Sequence, residues 1–304
     1  MTTEPPAILL FVQHGWADTS ASLRSLARGV STPRTKVINP NLGYLRTWIR
    51  MDALVDHVEK EAAAEIDANP GALIRVVGHS MGGLIWLELL DRRPEWWTRV
   101  DGVVLVGSPI GGAPLANVAD PMNLAIGRDL KVDRRAIASR ISEKVRVLSI
   151  AGDYDGFGDG LVTVVAAQAP GVRLVTLPGT HHMGLRRSRL AMLVAREFFR
   201  RTEPVSPPTA ELVAALRAIP GMTDGPTRGY FRPPLAVMFL DGTTIRAGRT
   251  LMGVDEVYLV GPDDLPRYAG YVGWLDSRAL RRGLKELRER HADQILWAAK
   301  GLSS

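Results

Sequence analysis

The 304-residue sequence contains no cysteine. Disulfides and thiolate metal sites are therefore excluded, and a reducing compartment is the natural expectation. It also lacks a long apolar run near its start. The stretch Ala7 to Val12 is too short for a signal core or a membrane span, and Met1 to Pro6 carries no basic segment, so a cytoplasmic protein without a transmembrane segment is expected. The 38 Lys and Arg against 32 Asp and Glu give a formal net charge of +6. A continuous basic stripe with interleaved aromatics is missing, however. The basic residues fall in scattered pairs such as Arg92-Arg93, Arg134-Arg135, Arg186-Arg187 and Arg281-Arg282, which read as solvated faces and argue against a nucleic-acid partner. No internal repeat is visible.

What is present is enough apolar residue, 46%, to build a substantial core. The chain is long enough for one large domain plus a small one. Its most informative stretch is Leu73-Ile74-Arg75-Val76-Val77-Gly78-His79-Ser80-Met81-Gly82-Gly83. A short β-branched-rich strand runs straight into a Gly-x-Ser-x-Gly turn and then into an amphipathic helix from Leu84 to Leu90, the arrangement of a nucleophile elbow. A serine hydroxyl is a weak nucleophile unless it is held proud of the surface within reach of a base. The sharp turn that does this strains the serine and crowds its neighbours, which favours glycine two residues before and two after. The five-residue pattern alone arises by accident in a chain of this length with odds on the order of 0.1. The surrounding strand and helix raise its value.

The remaining segments supply a frame. Ala7 to Val12 reads as a strand ending in Gln13-His14-Gly15-Trp16. Acyl transfer passes through an oxyanion that two backbone N–H groups can stabilise. Those of Trp16 and Met81 are the candidates. Ser20 to Arg28 reads as a helix, Thr35 to Ile38 as a strand, and Asp52 to Ile66 as a helix capped by Asp52 and ended by Asn69-Pro70-Gly71. Val100 to Val106, Val145 to Ile150 and Val172 to Leu177 continue the series of buried strands, and Ser188 to Phe199 is a closing helix. Alternating strands and helices predict an α/β fold with a mostly parallel sheet flanked by helices and a site at the carboxyl ends of its strands. Ala113 to Lys144 shows no strand pattern and is expected as a helical insertion over the site. Its residues Leu115, Met122, Leu124 and Ile126 either line an acyl pocket or pack on the sheet.

A serine nucleophile needs a histidine base, and the histidine needs a carboxylate. The loop Ala151 to Val162 offers Asp153, Asp155 and Asp159. Asp159 is favoured because Gly160-Leu161-Val162 can anchor it, with Asp155 second. A calcium loop of EF-hand type fails there, since Phe157 and Val164 stand where oxygen ligands are required. After the last strand, Thr180-His181-His182-Met183-Gly184-Leu185 offers two candidate bases in the chain order Ser, Asp, His.

With these residues assembled, the chain from Ala7 to about Arg201 resembles the α/β-hydrolases of the compact lipase/esterase type. The points of resemblance are His14-Gly15-Trp16, Gly78 to Gly83, Asp159 to Val162, and His182-Met183-Gly184-Leu185, similar to the His-x-Gly-Leu of small bacterial lipases. That last point selects His182 over His181. The resemblance implies that Ser80 is acylated, that His182 deprotonates it and later activates water, and that Asp159 orients His182, with Trp16 and Met81 forming the oxyanion hole and no cofactor or metal. The expected substrate is a small-molecule or lipid-like carboxylic ester or thioester. Acyltransfer or peptide cleavage on the same triad, and a non-catalytic binding module, are the alternatives.

Thr202 to Thr209 is proline-rich and reads as a linker, which divides the chain into a hydrolase-like domain, 1–201, and a small α+β domain, 210–304. In the second, Glu211 to Ile219 is expected as a helix, and Ala236 to Leu240, Thr243 to Ala247 and Glu256 to Val260 as strands, the first two joined by the hairpin signal Asp241-Gly242. A long amphipathic helix is expected from Asp276, its N-cap, to about Trp297. A structural or oligomerising module is the leading reading and a partner-binding or regulatory role the alternative, with Tyr268, Tyr271 and Trp274 available to face the larger domain.

Overall fold

A computed structural model describes residues 5–43, 46–48, 50–113, 125–200 and 206–299. The chain divides into two compact units, Met1–Arg200 and Arg201–Ser304.

The first unit is built on a parallel sheet of six strands, β1 (Ile8–Gln13), β2 (Thr35–Ile38), β3 (Leu73–His79), β4 (Val100–Val106), β5 (Val147–Asp153) and β6 (Arg173–Pro178), in the spatial order β2-β1-β3-β4-β5-β6. The chain adds β2 on one side of β1 and every later strand on the other, so the order reverses between β1 and β3. In such sheets a crevice opens at the carboxyl ends of the two strands flanking the reversal. Alternate strand residues serve opposite faces. Leu9, Phe11, Ile74, Val76, Val103 and Leu105 pack under α2 (Met51–Ala68) and α3 (Met81–Arg92). On the opposite face α1 (Arg24–Val30) packs with a late helix, Arg189–Arg200, whose Phe198 fills the space that a side chain at Gly102 would take.

Several boundaries differ from the sequence reading for identifiable reasons. α2 begins at Met51 with Arg50 as its cap residue, and Asp52 makes no cap bond but pairs with Arg50 at 3.0 Å. β5 starts later and runs on to Asp153, because its last three residues pair with Thr176, Leu177 and Pro178 of β6. Of the segment Ala113 to Lys144, the described part holds α4 (Ala125–Asp129) and α5 (Arg135–Ser142). Ile126, Ala138 and Ile141 are fully buried in the cluster that includes α3, so these residues serve the core. Leu115, Met122 and Leu124 lie outside the described residues. The sheet is followed by a one-turn helix, α6 (His182–Leu185), and by α7 (Arg189–Arg200).

The second unit is an antiparallel sheet with two helices on one face. Its elements are α8 (Thr209–Arg217), β7 (Thr223–Asp224), β8 (Leu235–Phe239), β9 (Thr244–Arg249), β10 (Asp255–Val260), β11 (Pro266–Val272), α9 (Ser277–Arg290) and β12 (Ile295–Ala298). β8 and β9 form a hairpin around Asp241-Gly242, where the Asp241 carboxylate accepts from the Thr243 N–H. The long C-terminal helix is shorter than its apolar stripe predicts. Leu280, Leu284 and Leu287 are buried, but α9 stops at Arg290 and Ile295 to Ala298 pair with β8 instead. Ile295 still reaches the same core, now from a strand, so the apolar period of the helix continues in the sequence past the helix end. Asp276 stands at the cap position of α9 without a side-chain cap bond. Tyr268 lies in this unit's core, Tyr271 bonds the Tyr258 hydroxyl, and Trp274 is exposed. Among the described residues no helix is long and apolar enough to cross a membrane.

Candidate active site

The carboxyl ends of β1, β3, β5 and β6 each contribute a piece of one cluster. β3 ends at His79, and Ser80 takes φ 55° and ψ −127° before α3 begins at Met81. A non-glycine residue at positive φ is held there only when its surroundings over-determine it, at a cost of roughly 1–3 kcal/mol. The tightness is measurable at its neighbours. A Cβ on Gly82 would stand 2.2 Å from the Gln13 carbonyl oxygen, and one on Gly78 2.4 Å from the Gly83 Cα. Glycine is thus required by contact as well as by the turn.

From this perch the Ser80 Oγ is 3.1 Å from His182 Nε2, and His182 Nδ1 is 2.7 Å from Asp159 Oδ2. A carboxylate can only accept, so Nδ1 carries the proton and Nε2 is left to accept from the serine hydroxyl. The other oxygen of Asp159 accepts from the N–H groups of Leu161 and Val162 at 3.0 and 2.7 Å. The loop thus ties its carboxylate down on one side and leaves the second oxygen for the imidazole. A backbone bond from His182 N–H to the Asp159 carbonyl, 2.9 Å, fixes the two segments against each other. Asp159 and His182 are 3% and 5% exposed, so their interaction is sheltered from water.

The competing residues are occupied elsewhere. Asp155 is exposed and accepts from the N–H groups of Phe157 and Gly158 in its own loop. His181 is exposed and caps α6, accepting from the Gly184 N–H at 3.1 Å. Met81 directly follows the serine, and Trp16 follows Gly15. A Cβ on Gly15 would be 2.9 Å from the Ser80 Cβ and 3.2 Å from the Met81 nitrogen, so Gly15 lies against the elbow. Met81 is the first residue of α3, where an N–H has no intrahelical partner. No acceptor for the Trp16 N–H is found among the described residues. Two N–H groups with no acceptor among the described residues, one directly after the strained serine and one directly after Gly15, are candidates to receive negative charge developing on a substrate oxygen.

Two further histidines belong to this cluster in ways that their sequence positions alone do not show. His14 is fully buried and its Nε2 accepts from the Leu42 N–H at 3.1 Å, so its Nδ1–H donates to the Gly15 carbonyl, 3.1 Å. Burial holds its pKa below the ordinary imidazole value, against the opposing Gly15 bond and the Asp18 charge. His79, the variable residue before the serine, donates from Nε2 to the His182 carbonyl at 3.3 Å, and its ring lies 4.9 Å from that of His182. Complete burial, with the adjacent His182 as a second cause, pushes its pKa down to about 3. It is therefore a neutral support under the base. Among the described residues its Nδ1 has no hydrogen-bond partner. Among the described residues no group of three or more His, Asp or Glu is arranged to hold a metal ion.

Compared with known proteins, residues 46–161 match a family model described as PGAP1-like alpha/beta domain. That span contains Ser80 and Asp159 and ends before His182. No curated protein matches the chain. Among solved structures, similarity is found to the mature lipase BlEst2 of Bacillus licheniformis, at 16% identity and a TM-score of 0.51, covering 66% of this chain and 95% of that one. Est1E of Butyrivibrio proteoclasticus with ferulic acid bound is similar at 15% identity and a TM-score of 0.52, over 65% of this chain and 90% of that one. Phospholipase PlaB of Legionella pneumophila, in complex with thio-NAD, is similar at 12% identity and a TM-score of 0.51, over 91% of this chain and 82% of that one. At such identities the likeness is one of fold.

Proposed function

Starting from a first unit with the α/β-hydrolase fold, we propose that the protein is a serine hydrolase that cleaves a carboxylic ester or thioester through an acyl-enzyme on Ser80. The observation that carries this reading is the contact chain from Ser80 Oγ to His182 Nε2, 3.1 Å, and from His182 Nδ1 to Asp159, 2.7 Å. His182 removes the hydroxyl proton as Oγ attacks the substrate carbonyl, and the oxyanion is received by the N–H groups of Met81 and Trp16. His182 then gives its proton to the leaving alcohol or thiol. In the second half a water molecule, deprotonated by the same Nε2, attacks the acyl carbon and releases the acid and free Ser80. Asp159 holds the tautomer and stabilises the imidazolium.

The substrate class is supported by the aromatic and apolar residues on the loops that carry the candidate site residues. Trp16 stacks edge-on against Trp48 with ring centroids 4.6 Å apart. The acid and base loops present exposed Tyr154, Phe157, Leu161 and Met183. These surfaces suit an apolar acyl or alkyl group better than a charged peptide. Two of the solved structures of similar fold are titled lipase and phospholipase, and Est1E holds ferulic acid, a carboxylic acid of the kind an ester would release. A fluorophosphonate probe tests the mechanism: the wild-type protein is expected to be labelled at Ser80 and Ser80→Ala to remain unlabelled. A folded wild-type protein that resists the probe, or equal labelling of the variant, overturns the reading. Nitrophenyl esters of graded acyl length then establish chain preference.

A further inference from the structure

We infer that Asp18 and Arg186 are positioning residues: their ion pair clamps the loop carrying the Trp16 N–H onto the segment carrying His182, so that oxyanion hole and base keep a fixed separation. The role in turnover rests on the function proposed above, whereas the clamp itself does not.

The two residues are 168 positions apart and each stands two to four residues from a group the reaction needs. Asp18 follows Trp16 and Ala17 in the loop after β1, and Arg186 follows α6, whose first residue is His182. The Arg186 guanidinium meets the Asp18 Oδ2 at 2.5 Å, and both side chains are nearly buried, 13% and 11% exposed. The carboxylate is committed on its other contacts as well. Its Oδ2 also accepts from the Ser22 hydroxyl and its Oδ1 from the Thr19 N–H, both at 2.8 Å. Burial pushes the Asp18 carboxyl up, but Ser22, Thr19 and Arg186 together outweigh it and hold it below the usual carboxylate range. The aspartate is thus charged at neutral pH. On the other partner, Arg186 Nε also reaches the Met183 carbonyl, so the guanidinium is fastened to the turn it leaves.

The oxyanion loop needs such a fastening. Ala17 sits at φ 50°, a left-handed conformation that a non-glycine residue does not hold unaided. Among the hydrogen bonds that also restrain this loop are the Leu42 N–H on His14 and the bond from the Ala17 N–H to the Thr47 hydroxyl, 3.0 Å. Both tie it to the chain around residues 42–47. Neither reaches the base. Asp18 to Arg186 is the side-chain ion pair between the β1 loop and the His182 segment among the described residues. Without it, the backbone donor at residue 16 and the imidazole are positioned by separate parts of the fold. A reaction that needs both at once is sensitive to their relative displacement, with about 1 Å able to cost on the order of a hundredfold in rate.

The test compares full-length wild type, Asp18→Asn, Arg186→Gln, Arg186→Lys and the double variant Asp18→Asn/Arg186→Gln. Amide hydrogen exchange is read over residues 14–19 and 182–186, and kcat and KM are read on a short nitrophenyl ester. Arg186→Gln is expected to speed exchange in residues 14–19, far from the substitution in sequence, and Asp18→Asn to speed it in residues 182–186. Each single variant is expected to lower kcat about tenfold with KM changed less than about twofold. The double variant should fall no further than either single, because both remove one interaction. Arg186→Lys, which keeps the charge, should recover most of the rate. Exchange changes confined to the substituted segment overturn the clamp. Cross-segment exchange with kcat unchanged overturns its role in turnover. Cross-segment exchange in a protein that the fluorophosphonate probe does not label leaves the clamp standing and removes the hydrolase reading alone.

Discussion

Replacing His79 by leucine should make the first unit less sensitive to acid. In the fold, burial moves the His79 pKa from 6.5 to about 3. Between those values the unfolded chain binds a proton at this residue and the native chain does not, so stability rises with pH across the window. The contribution is fully retained above pH 6.5 and is lost progressively as pH falls toward 3. At about pH 5 the unfolded state is favoured by roughly 1.5 pKa units at 1.36 kcal/mol each, or about 2 kcal/mol relative to neutral pH. Leucine has no proton to bind and fits an environment that leaves the imidazole Nδ1 unpaired. It forgoes only the 3.3 Å bond to the His182 carbonyl. The assay is urea unfolding of the full chain at about pH 7.5 and about pH 5, with the first unit followed by pulsed hydrogen exchange in β3 and β4 peptides. With a urea slope of about 2 kcal/mol per molar, the wild-type midpoint should fall about 1 M further than that of His79→Leu between the two conditions. Equal falls in the two proteins would refute the reasoning, since they would mean that His79 binds its proton in the folded state as readily as in the unfolded one.

Asp159→Asn should lower kcat by about 10⁴-fold, because an amide opposite His182 Nδ1 favours the tautomer that removes the acceptor from Ser80; Asp155→Asn should leave kcat within a few fold. His181→Ala should likewise keep most activity, whereas His182→Ala should abolish it, as measured on the same ester. Gly82→Ala should destabilise the first unit by about 3 kcal/mol or more, because its Cβ would strike the backbone at Gln13, while Gly71→Ala, with nothing within 4 Å, should be near neutral in thermal unfolding.

The sheet of the first unit was legible because its strands are short, β-branched and bounded by turn residues. Val100–Val106 and Thr35–Ile38 agree with their sequence bounds to the residue. The cluster of Ser80, Asp159 and His182, to which the proposed function gives the roles of nucleophile, acid and base, was legible for a different reason: strand-to-turn signatures place the three side chains at the same end of a parallel sheet. What escaped depends on partners distant in sequence. β12 reads as helix because Ile295 continues a helical stripe, and only pairing with β8 makes it a strand. Asp18 and Arg186 look like ordinary surface charges until the sheet brings their loops together. His79 occupies a position that the elbow pattern leaves open, and its neutral state follows from burial that no local pattern encodes.

The candidate site draws on the ends of β1, β3, β5 and β6, with β4 lying between two of them in the sheet. No contiguous segment owns it. The proposed hydrolysis would therefore behave as a coincidence detector for the whole sheet, responding only while four strand ends hold their registers at once. Fraying at either flank, whether of β1 against β2 or of β6 against β5, would silence the reaction before the unit as a whole unfolds.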